Sequence, residues 1–181
     1  MHGYYPTTCE SVIPPHTCDP CIPKEYGRVR AVAFVKSSYE FSDITNPTEW
    51  EQAIDDGNVI LIPAVHGNLP EPSEQVGPGY GDTTETLLGF EFTLTYYDPN
   101  YADNCDFYNE IKRTQSYRLM YKSSSKGHLT GTTVTVIPKA PIEDDINTEV
   151  VWAVQVKWKD ADHACPFDFP ESVLKCYEFN S

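Results

Sequence analysis

The chain has 181 residues, 40% of them hydrophobic and 13% aromatic, which excludes a disordered polypeptide and gives one domain enough material for a core. Its net charge is −14 with only 13 Lys and Arg, which excludes the clustered basic face that grips phosphates and so specific DNA or RNA binding. No apolar run reaches the roughly 18 residues of a membrane span, and Met1-His-Gly-Tyr-Tyr-Pro6 shows no basic segment leading into an apolar one, so neither a membrane helix nor a signal peptide is expected.

Residues 1–27 carry Pro6, Pro14, Pro15, Pro20 and Pro23 with almost no periodicity. Prolines remove backbone donors and stiffen the chain, so this segment is expected to be an extended arm. Arg28 to Val35 reads as a strand: Val29, Ala31, Ala33 and Val35 point one way, Val32 and Phe34 the other, so both faces are expected to be covered. A helix should start at Asn46, with Asn46 as cap, Pro47 in the first position and Glu49 reaching back as in a capping box. Trp50, Ala53 and Ile54 form its apolar stripe, and Asp55-Asp-Gly57 ends it. Val59 to Ile62 is a short buried strand. Residues 63–86, with Pro63, Gly67, Pro70, Pro72, Gly77, Pro78, Gly79 and Gly81, read as one long loop.

Phe90, Phe92, Leu94 and Tyr96 alternate on one face of a further strand. A second helix is expected near Asp103 to Thr114, capped by Asp103 and apolar at Phe107, Tyr108 and Ile111, between two strands able to pair across it. Strands follow at Tyr117 to Tyr121 and Thr132 to Ile137, then a loop at 138–146. The strongest strand signal is Glu149 to Trp158, with Val150, Trp152, Val154, Val156 and Trp158 on one face. A terminal strand near Cys176 to Phe179 closes the tail. The expected fold is therefore mainly β: an antiparallel β sandwich or barrel with one or two short α-helices, a long loop, an arm at 1–27, a body at 28–160 and a C-terminal tail at 161–181.

Three of the six cysteines lie in "CESVIPPHTCDPC" as Cys9, Cys18 and Cys21, beside His16. Cys18 and Cys21 have half a zinc-site spacing, but no second such pair follows. Whether Cys9, Cys18, Cys21, Cys105, Cys165 and Cys176 are free, disulfide-bonded or metal-bound stays open at this point. Gly77-Pro-Gly-Tyr-Gly81 precedes a strand and lacks a following Lys, so it reads as a turn-rich loop and not a phosphate loop. Glu143-Asp-Asp145 lacks the alternating ligands of a calcium loop, and Asp55, Asp56, Asp160 and Asp162 define no pair across a cleft. His66 and His128 read as surface residues. His163, two residues before Cys165, lacks an orienting third group. No constellation completes a mechanism, so no catalytic, cofactor-binding or metal-ligating residue is assigned and an enzyme is not expected.

The order of elements from residue 28 to 160 resembles the tail tube proteins of tailed bacteriophages. The stretches "GFEFTLTYYDPN", "NCDFYNEIKRTQSYRLMYK" and "TEVVWAVQVKWKD" carry the likeness. That resemblance implies a structural virion protein made in the host bacterial cytoplasm. It implies self-association into hexameric, stacked rings, contact with other virion tail proteins, and a conduit that DNA passes without specific binding. Open sheet edges would be closed by neighbours, the net negative charge would suit an acidic lumen, and the arm with its thiols would clasp adjacent copies. Two alternatives stand beside it. One is another phage β-sandwich of the capsid-decoration, neck or fibre-associated kind; the other is a carbohydrate-binding module using Tyr80, Tyr96, Tyr97 and Tyr101 as stacking platforms.

Overall fold

Ala31–Lys36 (β1) explains the layout of the molecule, because its first five residues are buried on both faces. In the computed structural model, which describes residues 14–21, 24–81 and 85–174, β1 lies inside a five-stranded antiparallel sheet. Its neighbours are Val59–Ile62 (β2) on one side and Tyr117–Lys122 (β6) on the other; Lys126–Leu129 (β7) and Pro166–Asp168 (β10) complete the order β10-β7-β6-β1-β2. Val32 and Phe34 enter the main core, whereas Ala33 and Val35 enter a second cluster under the helix Pro47–Asp55 (α1), with Trp50 and Ala53.

The other sheet is built on Glu85–Asp98 (β5), flanked along its second half by Trp152–Asp160 (β9), which pairs in turn with Thr135–Lys139 (β8). Phe92 faces Trp158, Leu94 faces Val156 and Tyr96 faces Val154 across the β5–β9 register, and all six lie in the main core between the sheets. Period-two alternation in both strands has one cause: one face is buried and the other is bare. The fold is thus mainly β, sandwich-like and antiparallel, as expected. Among the described residues no helix is long and apolar enough to cross a membrane.

Several elements differ from expectation. Residues 63–86 are not one loop: His66–Asn68 (β3) and Ser73–Pro78 (β4) both pair with β5. Their glycines and prolines hide them from a pattern search but are tolerated at a sheet edge. Gly67 is required there, because a Cβ would meet the Thr95 carbonyl oxygen at 2.6 Å. β7 and β10 also carry too few residues to be read, and β10 places part of the expected tail inside a sheet. The expected strand at 176–179 lies outside the described residues.

Helix ends differ too. Asn46 caps α1 by accepting from the Thr48 N–H at 3.0 Å, but Glu49 does not reach back to it. Its carboxylate instead accepts from the N–H groups of Ser42 (2.6 Å) and Asp43 (2.8 Å), tying down the preceding loop. Gly57, at φ 78°, turns the chain after α1. The second helix, Cys105–Ile111 (α2), is capped at Asn104 and not Asp103, and the Asn104 side chain donates to the Asn100 carbonyl at 3.0 Å. α2 carries the chain from one sheet to the other, so the strands on either side of it do not pair. A 3-10 helix at Glu171–Val173 seals the second cluster with Phe169 and Val173.

Candidate assembly surfaces and an inter-sheet groove

The β5 sheet keeps an uncovered outer face. Cross-strand rows run Thr135–Lys157–Thr93, Ile137–Gln155–Thr95 and Lys139–Ala153–Tyr97. β8 ends the sheet on one side; β3 and β4 end it on the other. Among the described residues no further strand pairs with β8 or with β4, whereas Gly67 of β3 is already bonded to Val29. The acidic balance of the chain does not come from this face, which carries Lys139, Lys157 and Lys159 against Glu91. Exposed acids instead decorate α1 (Glu51, Asp55), α2 (Asp106, Glu110) and the loop at Glu143, Asp144 and Asp145.

The β4–β5 hairpin projects beyond the sheet. β9 stops at Asp160, opposite Phe90, so Glu85 to Gly89 pair only with β4. Gly89 sits at φ 154°, and a Cβ there would meet the Asp160 carbonyl at 3.1 Å. Gly89 and a register shift at Gln75/Val76 interrupt the regular pairing at the root of the hairpin. With neither layer beneath it, the hairpin leaves Leu87 55% and Leu88 64% exposed, beside exposed Val76 and Tyr80.

A groove of about 650 Å³ opens between the sheets under the root of the arm, lined by Val29, Leu69, Phe92, Tyr121, His128 and His163. His128 stacks on Tyr121 at 4.8 Å, and His163 meets Phe92 edge-on at 5.1 Å. Burial first holds the His128 imidazole below its ordinary range, against the Tyr121 carbonyl and the Glu25 carboxylate, which favour the charged form. Burial also pushes the Tyr121 phenol up to about 12. His66 lies in an adjoining groove, where Arg28 meets its Nδ1 at 2.8 Å. The structure thus brings two histidines that stand far apart in the sequence to one groove, which Glu71 and Ser123 also line, and both imidazoles pack against aromatic rings.

The arm meets the body at one side chain. Glu25 accepts hydrogen bonds from the hydroxyls of Ser123, Ser124 and Ser125 and from the N–H groups of Ser125 and Lys126. The Ser125 hydroxyl and then its N–H hold the Glu25 carboxyl far below the usual carboxylate range. Four residues later, Val29 exchanges hydrogen bonds with Gly67 at 2.8 and 3.0 Å. Residues 25–29 therefore clip the β6–β7 turn of one sheet to β3 of the other. A serine run reads as a plain turn, and only its pairing with Glu25 marks it.

Cys18, Cys21, Cys105 and Cys165 are free and exposed; Cys9 and Cys176 lie outside the described residues. Among the described residues no three His, Cys, Asp or Glu side chains gather to hold a metal ion. Tyr96, expected as a stacking platform, is completely buried. Tyr80 lies near the hairpin tip, on the order of 40 Å of strand away from Tyr97, so these rings share no platform. No protein-family model matches this chain, and neither a curated protein nor a solved structure is significantly similar to it.

Proposed function

We propose that this chain is a structural virion protein, a tail tube subunit that closes into stacked, hexameric rings around a conduit for DNA. The observation that carries this reading is the β5 sheet, half-exposed on its outer face and, among the described residues, joined by no further strand along β8 or along β4. Pairing β8 of one copy with the β4 margin of the next satisfies both rows of backbone groups and continues the sheet into a ring. The outer face then becomes a continuous wall of mainly Thr, Gln and Lys side chains, with Ile137, Ala153, Tyr97 and Glu91 among them. Its lysines outnumber its one carboxylate, so the acidic lumen expected from net charge has no support on this face. The projecting β4–β5 hairpin supplies an apolar contact to an adjacent ring.

Electron microscopy of the concentrated protein tests the reading. Rings or tubes about 100 Å wide are expected from roughly 20-kDa domains arranged around a lumen. A monomer that persists at high concentration, with no rings in any condition, would sink it. Trimers or pentamers would favour the other phage sandwich, a decoration, neck or fibre-associated protein. The carbohydrate-binding alternative loses Tyr96 to burial, and Tyr80 lies far along the hairpin from Tyr97.

A further inference from the structure

We propose that the groove between the two sheets is a binding site for a small, uncharged, planar aromatic molecule that carries a hydroxyl group. The groove is floored by the main core: Phe92 comes from β5 and Tyr121 from β6, while Val29 and Leu69 add aliphatic surface. His128 of β7 and His163, just after β9, line it as well. At about 650 Å³ it falls within the range of small-molecule sites, which are mostly apolar with a few polar groups that fix orientation.

One polar group points to a ligand. Tyr121 is only 7% exposed, and its hydroxyl makes no hydrogen bond among the described residues. Other buried aromatic tips find protein partners, as Tyr108 does on Asp98 and Trp152 on the Tyr101 carbonyl. Among the described residues, the buried side-chain nitrogen or oxygen left without a partner is Arg118 Nε. The Tyr121 hydroxyl is therefore not sealed in, and the groove is the opening that Tyr121 lines. Burial pushes this phenol up to about 12, so at neutral pH it stays protonated and can donate or accept. His128 adds a second polar group. Its Nδ1 lies 3.4 Å from the Tyr121 carbonyl, which can only accept, so Nδ1 carries the proton and Nε2 is left as an acceptor. A ligand hydroxyl, itself donor and acceptor, matches this pair.

The rings decide between ligand classes. A cation is drawn to an open aromatic face. Phe92, 2% exposed, stacks on Trp158 at 5.3 Å, and Tyr121 stacks on His128 at 4.8 Å, so neither ring has a face to spare. Their edges remain, and a ring edge prefers the face of another aromatic ring. Arg28 and Glu71, which also line the groove, carry opposite charges, so their sum selects neither an anion nor a cation. One copy of the chain supplies every one of these groups, so the site stands apart from ring formation.

The test uses the full chain as an isolated subunit and 2-naphthol as the probe, read by titration calorimetry. Saturable one-to-one binding with a Kd below about 1 mM is expected. Tyr121→Phe keeps the ring and deletes a hydroxyl that holds no described residue, so it should fold and bind 2-naphthol about tenfold more weakly. Ala164→Trp places a large side chain at the half-buried margin of the groove and should abolish binding. 2-Naphthoate and phenyltrimethylammonium should each bind at least about tenfold more weakly than 2-naphthol. Absence of saturable binding to the wild type overturns the site. Equal affinity for wild type and Tyr121→Phe, or undiminished binding to Ala164→Trp, overturns its place in this groove. A charged probe that binds as tightly as 2-naphthol overturns the uncharged class. A chain that forms no rings would refute the tube reading and leave each of these outcomes as decisive as before.

Discussion

The Tyr108 hydroxyl donates to the Asp98 carboxylate at 2.7 Å, joining α2 to the end of β5 inside the core. Asp98 is 2% exposed, and it also accepts from the Asn100 N–H at 3.0 Å and the Asn104 amide at 3.3 Å. Burial foremost, then the neighbouring Tyr96, pushes the Tyr108 phenol far above its ordinary value, so it remains a donor throughout the working pH range. Tyr108→Phe deletes the shortest of the three bonds and leaves a buried charge less satisfied. A loss of about 1.5–3 kcal/mol is expected from urea unfolding. A loss below about 0.5 kcal/mol would show that the carboxylate is satisfied without the phenol.

Trp50 holds the second cluster together. It is fully buried, packs on Phe41 at 4.5 Å and Phe169 at 5.1 Å, and its indole N–H donates to the Ile44 carbonyl at 2.7 Å. Trp50→Ala removes contacts that α1 makes with the segment after β10, and should cost about 3–5 kcal/mol. Trp50→Phe keeps most of the packing but orphans the carbonyl, so about 1–2 kcal/mol is expected. Chemical denaturation of both variants checks the order. Equal losses would mean that the hydrogen bond, and not the ring volume, sets the cost.

What was legible in the sequence follows from how each strand is covered. β5 and β9 alternate because one face is buried, and β1 is continuously apolar because both faces are. β3 and β4 were illegible because their residues answer to the partner strand: Gly67 is small where β5 passes close, and Pro78 ends a margin. β7 is similar, since a Cβ on Gly127 would lie 2.7 Å from the Phe167 ring of β10. The clip at Glu25 was illegible for another reason: its donors, in the turn from Ser123 to Lys126, stand about a hundred residues from the carboxylate.

His128 gives stability a pH dependence of definite sign. Its folded pKa lies below the ordinary 6.5 because burial disfavours the cation. The unfolded chain then binds the proton more readily, so the contribution is full above 6.5 and is lost as pH falls through the folded value. Arg28, Glu71, Tyr121 and His163 line the same groove, and the Glu25 carboxylate opposes the effect of burial without reversing it. Urea midpoints of the wild type should fall between about pH 7.5 and 5.5 more steeply than those of His128→Gln. Parallel pH profiles for the two proteins would refute the role given to this imidazole.

In the assembly proposed above, Leu87 and Leu88 would take part in ring stacking and not in ring closure. Both are exposed because the hairpin stands clear of the two layers, and neither supports the core. Leu87→Lys and Leu88→Lys should therefore change the stability of the isolated subunit by less than about 0.5 kcal/mol. In an assembly the balance differs. Each leucine removed from a contact forfeits about 1.5–3 kcal/mol of burial, and a ring repeats that loss once per copy. The backbone margins of β8 and β4 are untouched, so if the chain assembles as proposed, single rings should still form while stacks shorten or vanish, as read by sedimentation and electron microscopy. Tubes of undiminished length from the double variant would remove the hairpin from the stacking contact, because two buried lysines in every subunit interface are too costly to pass unnoticed.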